Sequence, residues 1–125
     1  MSPSTPLQTL KAEFFRALAH PVRIRLLEVL VARGETSVQN LQQALQIDQP
    51  IVSQQLARLR ANGIVVGRKN GVAMRYSVAD PLIGDLLKVA KQILNRHLAG
   101  VQSMLHELKQ DRIGGRARAR ASRSA

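Results

Sequence analysis

The stretch TSVQNLQQALQIDQPIVSQQLARLRA, from Thr36 to Ala61, leaves the chain few ways to bury its apolar residues. Val38, Leu41 and Leu45 recur at three and four positions, the period of one helix face. Thr36 followed by Gln39 has the form of a capping box, in which hydroxyl and amide satisfy free backbone N–H groups. Asp48-Gln49-Pro50 then interrupts the helix and starts another, because Asp48 is a good N-cap and Pro50 is tolerated only in a first turn. In the second helix Val52, Leu56 and Leu59 share a face. The opposite face carries Pro50, Ile51, Gln54, Ala57, Arg58 and Ala61, with Ser53 and Gln55 at its flanks. Its side chains are mostly small or hydrogen-bonding, and none is acidic. Two such helices joined by a tight break form a helix-turn-helix, and the second helix is the one that enters a DNA major groove.

The segment that follows extends this reading. Asn62-Gly63 closes the helix, glycine being favoured just past a C-terminus. Ile64–Val66 and Met74–Val78 have strand character, and Asn70-Gly71 between them is a strong hairpin signal. A β-hairpin directly after a recognition helix is a wing. Arg68 and Lys69 approach its tip and Arg75 returns from it. Between Asp48 and Asp80 the sequence holds Arg58, Arg60, Arg68, Lys69 and Arg75 and no acid. Any one of these charges could be an ordinary solvated residue. Their shared sign along helix and wing makes the one-sided potential that phosphate binding needs.

The rest of the chain fits one domain. Its 125 residues suffice for a modest core and not for two. A formal charge of +11 points to a polyanionic partner. The absence of cysteine excludes disulfides, thiolate metal sites and cysteine redox switching. With no membrane-length apolar run and no signal-peptide pattern, the expected location is cytoplasmic. A flexible lead-in is expected over residues 1–6, the DNA-binding and dimerisation domain over 7–111, and a disordered basic tail over 112–125, where Arg116, Arg118, Arg120 and Arg123 lie in low-complexity sequence.

Leu7, Leu10, Phe14 and Leu18 mark one face of a first helix. His20 precedes Pro21 where a helix cap is expected, and the helix from Val22 to Ala32 is apolar nearly all round, so it should lie centrally. Arg23 and Arg25 near its start oppose its dipole and are read first as partners of nearby carboxylates such as Glu13 or Glu28. Arg33-Gly34 ends it. Asp80-Pro81 opens a last helix whose apolar stripe runs from Ile83 to Leu108. A small domain has too little left to cover such a stripe, so Leu94, Leu98, Val101 and Leu105 are expected to pack against a second copy of the chain, with the first helix of the same chain covering part of the stripe.

FFRALAHPVRIRLLEVL, DQPIVSQQLARLRANGIV and the wing tipped by Asn70-Gly71 together resemble the ArsR/SmtB family of bacterial transcriptional regulators. The resemblance covers about residues 10–94 and is most specific at the VSxxLxxLxxxG pattern of Val52 to Gly63. It implies a mainly α winged helix-turn-helix, a homodimer through the first and last helices, and binding to an inverted repeat in double-stranded DNA, usually as a repressor released by an effector. Carried over by position, Gln49, Ser53 and Gln54 would face bases, while Arg68, Lys69 and Arg75 would approach phosphates or the minor groove; Arg58 follows from the helical wheel of this sequence. The metal sites of the family are broken here. Aligning His97 with a family ligand puts Asn95 where an Asp is expected and Leu108 where a second His belongs, leaving only His97 and Asp111 as candidate ligands for a transition metal such as nickel or zinc.

No nucleophile–base pair, Gly-rich phosphate loop or acidic pair gives an enzyme reading. The alternative is a basic winged-helix module for protein assembly or nonspecific nucleic-acid binding. Tyr76, Phe14 and Phe15 are the only aromatic residues, too few for the stacking platform that single-stranded RNA binding uses.

Overall fold

In a computed structural model, the backbone is described for residues 5–124 and the side chains for residues 5–111. The element order is α1 (Pro6–Leu18), α2 (Pro21–Arg33), β1 (Thr36–Ser37), α3 (Val38–Leu45), α4 (Gln49–Ala61), β2 (Val65–Asn70), β3 (Ala73–Val78) and α5 (Leu82–Ser124). The chain divides into two compact units, Met1–Leu87 and Lys88–Ala125. The tail expected over 112–125 lies outside the residues whose side chains are described.

In the first unit each helix is bounded by a local chemical signal. Thr5 caps α1 through a reciprocal box: its hydroxyl accepts from the Gln8 N–H and the Gln8 side chain accepts from the Thr5 N–H. His20 caps α2, its Nδ1 accepting from the Val22 N–H at 3.1 Å, and Pro21 fills the first helical position. The end of α4 is closed at two points, where Gly63 (φ +71°) donates to the Arg60 carbonyl and Ile64 to the Leu59 carbonyl. Ile64 is thereby delivered into the core at 1% exposure.

The core is built from Leu26, Leu27 and Leu30 of α2, Leu41 and Leu45 of α3, Val52, Leu56 and Leu59 of α4, and Ile64 and Val65 entering the hairpin. Ala17 and Leu18 of α1 and Ile83 of α5 close it. Only the C-terminal end of the predicted α1 face is buried; Leu7 and Leu10 are about 60% exposed. α2 is central as expected, although its Val31 stays partly in solvent.

Several local expectations are corrected. Thr36 does not cap α3. It is the first residue of β1, pairs with Tyr76 and donates its hydroxyl to the Gly34 carbonyl, so the cap falls to Ser37, whose hydroxyl accepts from the Asn40 N–H. Asp48 holds the N-cap position of α4 without a side-chain bond; its backbone carbonyl accepts from Ile51 and Val52. Among the described residues, Arg23 and Arg25 pair with no carboxylate. Arg23 donates to the Ala17 carbonyl and to Gln55 Oε1, and Arg25 to the Leu45 carbonyl, each at 2.8–2.9 Å. The helix dipoles account for this: the two guanidiniums are unfavourable for the N-terminus of α2 but satisfy the carbonyl ends of α1 and α3.

The sheet has the order β1-β3-β2 and is antiparallel throughout. Asn70 faces Ala73 across a two-residue turn of Gly71 and Val72, with positive φ only at Gly71. Gly71 therefore occupies the first central position of a type II′ hairpin, and Asn70 is the last strand residue rather than part of the turn. Gly67 faces Tyr76, and a Cβ there would lie 3.0 Å from the tyrosine ring and 2.9 Å from the Met74 methyl, so a side chain at this position would make both neighbours shift.

Candidate nucleic-acid interface

Helix α4 owes its position to its buried stripe. Val52, Leu56 and Leu59 are fully buried, which turns the opposite side outward. Gln49, Gln54 and Arg58 are exposed and Ser53 is half-buried. Gln55, read from sequence as a flanking residue, is instead buried, its amide oxygen occupied by Arg23.

The outward residues fall on two flanks of the helix. Gln49 and Ser53, one turn apart and joined by a 3.3 Å hydrogen bond, line a groove of about 1040 Å³. The start of α3 (Ser37, Gln39, Asn40) and the wing strand residues Met74, Arg75 and Tyr76 form its other walls. Arg58, one turn beyond Gln54, lines a separate depression with Glu13, Arg16, Arg23 and Asn62. The geometry thus brings Gln49, Ser53 and Arg75 together and sets Arg58 apart from them. The sequence marks Gln39 only as a capping-box residue and Asn40 not at all; the groove places both opposite Gln49 and Ser53.

On the wing, Arg68 and Lys69 are exposed and Arg75 is half-buried. Arg68 and Arg75 are cross-strand partners. Both guanidiniums meet Glu35, a residue between α2 and β1 that lies outside the acid-free segment of the sequence. Arg68 Nη2 stands 2.9 Å from Glu35 Oε2, and Arg75 Nε stands 3.4 Å from Oε1. The wing-tip residue Val72 is fully exposed.

The stripe proposed for dimerisation is apolar and largely uncovered within one chain: Leu94, Leu98 and Leu105 are more than half exposed and Val101 is half-buried. His97 and Asp111 cannot share a metal within one chain, being about 21 Å apart along a single helix axis at 1.5 Å per residue. Among the described residues no group of three or more His, Cys, Asp or Glu side chains could hold a metal ion. Among them, too, no helix is long and apolar enough to cross a membrane.

Comparison with known proteins follows the same outline. A helix-turn-helix domain family matches residues 18–68, from the end of α1 into the wing. An uncharacterized HTH-type transcriptional regulator of Mycobacterium tuberculosis, Rv0081, is 46% identical over 114 residues, covering 91% of this chain and 97% of the relative. Its crystal structure superposes with a TM-score of 0.70 at 49% identity, over 77% of this chain and 96% of that one. The HTH-type transcriptional repressor SmtB of Mycobacterium tuberculosis is 41% identical over 68 residues, covering 54% of this chain and 50% of the repressor. With the winged helix-turn-helix built as described and these likenesses spanning it, the chain belongs to the ArsR/SmtB family of helix-turn-helix transcriptional regulators.

Proposed function

We propose that the protein is a dimeric repressor that binds an inverted-repeat operator, with α4 reading bases and the wing gripping the backbone. The observation that carries this reading is the outer face of α4, where Gln49 and Gln54 stand exposed and no residue from Gln49 to Ala61 is acidic. A glutamine amide can pair with adenine N6 and N7 in the major groove, which gives Gln49 and Gln54 base-reading roles and Ser53 an adaptable one. Arg58, Arg68, Lys69 and Arg75 supply phosphate contacts that position the helix without reading sequence. A second copy of the chain covers the stripe of Leu94, Leu98, Val101 and Leu105, and its two-fold axis matches the operator's symmetry. The SmtB relative is a transcriptional repressor, which supports the repressing role.

The test is a salt series on a preferred duplex and a scrambled duplex of equal length. The reading expects the preferred duplex to bind at least about 10³-fold more tightly at physiological salt. Equal affinities with equal salt slopes would instead make the protein a nonspecific basic module.

A further inference from the structure

We propose that Glu35 is an internal counter-anion for the wing, occupying the guanidiniums of Arg68 and Arg75 where a DNA phosphate would otherwise sit. This rests on the proposed role of the wing in DNA binding. Arg68 and Arg75 lie directly opposite one another on β2 and β3, an arrangement that like charges disfavour unless an anion lies between them. Glu35 is that anion. Its Oε1 accepts from Arg68 Nε at 3.3 Å and from Arg68 Nη2 at 3.1 Å, and its Oε2 accepts from Nη2 at 2.9 Å. Arg75 closes the triad, with Nε 3.4 Å from Oε1 and Nη2 donating to the Glu35 carbonyl at 3.2 Å.

The fork-on-carboxylate geometry at Arg68 is the one a phosphate offers an arginine. The backbone on either side of Glu35 is fixed. Glu35 follows Gly34, which ends α2 at φ +79°, and precedes Thr36, which is locked onto Tyr76. Arg75 is tied to the Glu35 backbone as well and is 35% exposed, whereas the Arg68 side chain is 73% exposed and is the member free to exchange. The triad carries one net positive charge in place of two. Contact between Arg68 and a duplex is therefore a swap of anions, and Glu35 lowers the affinity for every sequence alike. It sets how tightly the wing holds DNA and leaves the choice of sequence to α4.

The experiment measures a random duplex across a salt series with wild type, Glu35→Gln, Arg68→Ala and the double variant, with thermal melts to show that each is folded. Glu35→Gln is expected to tighten binding by about two- to five-fold, the range of an exposed ion pair. It should also steepen the slope of log affinity against log salt by up to about 0.9, one further phosphate neutralised. In the Arg68→Ala background the same change should have a clearly smaller effect, limited to what Arg75 can contribute. A gain that persists undiminished without Arg68 is a general charge effect and overturns the proposal, as does weaker binding by Glu35→Gln. Should Glu35→Gln fail to fold, Glu35→Asp keeps the charge and withdraws it by one methylene: tighter binding supports the swap, and unchanged or weaker binding contradicts it. The random duplex alone carries this test, so it stands even where the preferred-duplex comparison shows no sequence specificity. A wild type that binds no duplex overturns both readings.

Discussion

Helix α2 and the part of α5 beyond Lys88 both carry leucines that recur along one helix face, and these meet opposite fates. Leu26, Leu27 and Leu30 are at most 1% exposed, while Leu94, Leu98 and Leu105 are each more than 50% exposed. Among the described residues, no buried hydrophobic side chain follows Ile83. Burying a leucine is worth roughly 1.5–3 kcal/mol relative to leaving it in water. A stripe that forgoes this over several turns is stable in α2's manner only when something else covers it. Periodicity identifies an apolar face; it does not say whether the same chain or a second one buries it. The first unit answers the question internally, whereas the α5 leucines stay exposed.

The largest expected effect breaks the two regions apart. Leu98→Glu should dissociate the dimer and lower operator affinity by about 10²- to 10⁴-fold, since each subunit loses the effective concentration of its twin. The first unit should keep its melting transition, because its core uses other residues. Sedimentation velocity with operator binding checks both statements, and a variant that stays dimeric with unchanged affinity removes α5 from the interface. The converse change, Leu56→Ala, empties a fully buried site in α4 and should cost about 2–5 kcal/mol in denaturant unfolding. A loss below 1 kcal/mol would mean that α4 is not anchored as described.

Two smaller effects sharpen the contrast, because they should alter DNA binding while leaving association untouched. Gln54→Ala should cost roughly 1–3 kcal/mol on the preferred duplex and much less on random DNA. Equal losses on both would place Gln54 away from the bases. Arg68→Ala should weaken both duplexes alike by about 0.2–1 kcal/mol, small because Glu35 already neutralises part of its charge. A loss confined to the preferred duplex would make Arg68 a base reader.

Legibility in the sequence followed the range of the interaction. The α4 stripe, the Asn62-Gly63 closure, the His20 cap and the wing all arise within a few residues, and each was readable there. The cap of α3 was displaced by one residue because Thr36 and Ser37 both carry hydroxyls, and only the pairing of Thr36 with Tyr76 decides between them. A two-residue strand has no periodicity to detect, so β1 was missed. The partners of Arg23 and Arg25 are backbone carbonyls and an amide brought close by helix packing, which composition cannot reveal. The role of Glu35 is hidden for the same reason: it lies 33 positions before Arg68 and outside the acid-free segment. For the candidate site, the sequence indicated which face of α4 turns outward, but not that Arg58 would stand apart from Gln49 and Ser53.

The most direct measurement is selection of duplexes from a random DNA pool by the wild-type protein, followed by sequencing of what it retains. A dimer that reads bases through α4 should enrich an inverted repeat whose half-sites lie about 10 base pairs apart, centre to centre, or a multiple of that spacing. A pool that stays random, or a single half-site without its mirror image, would contradict the account.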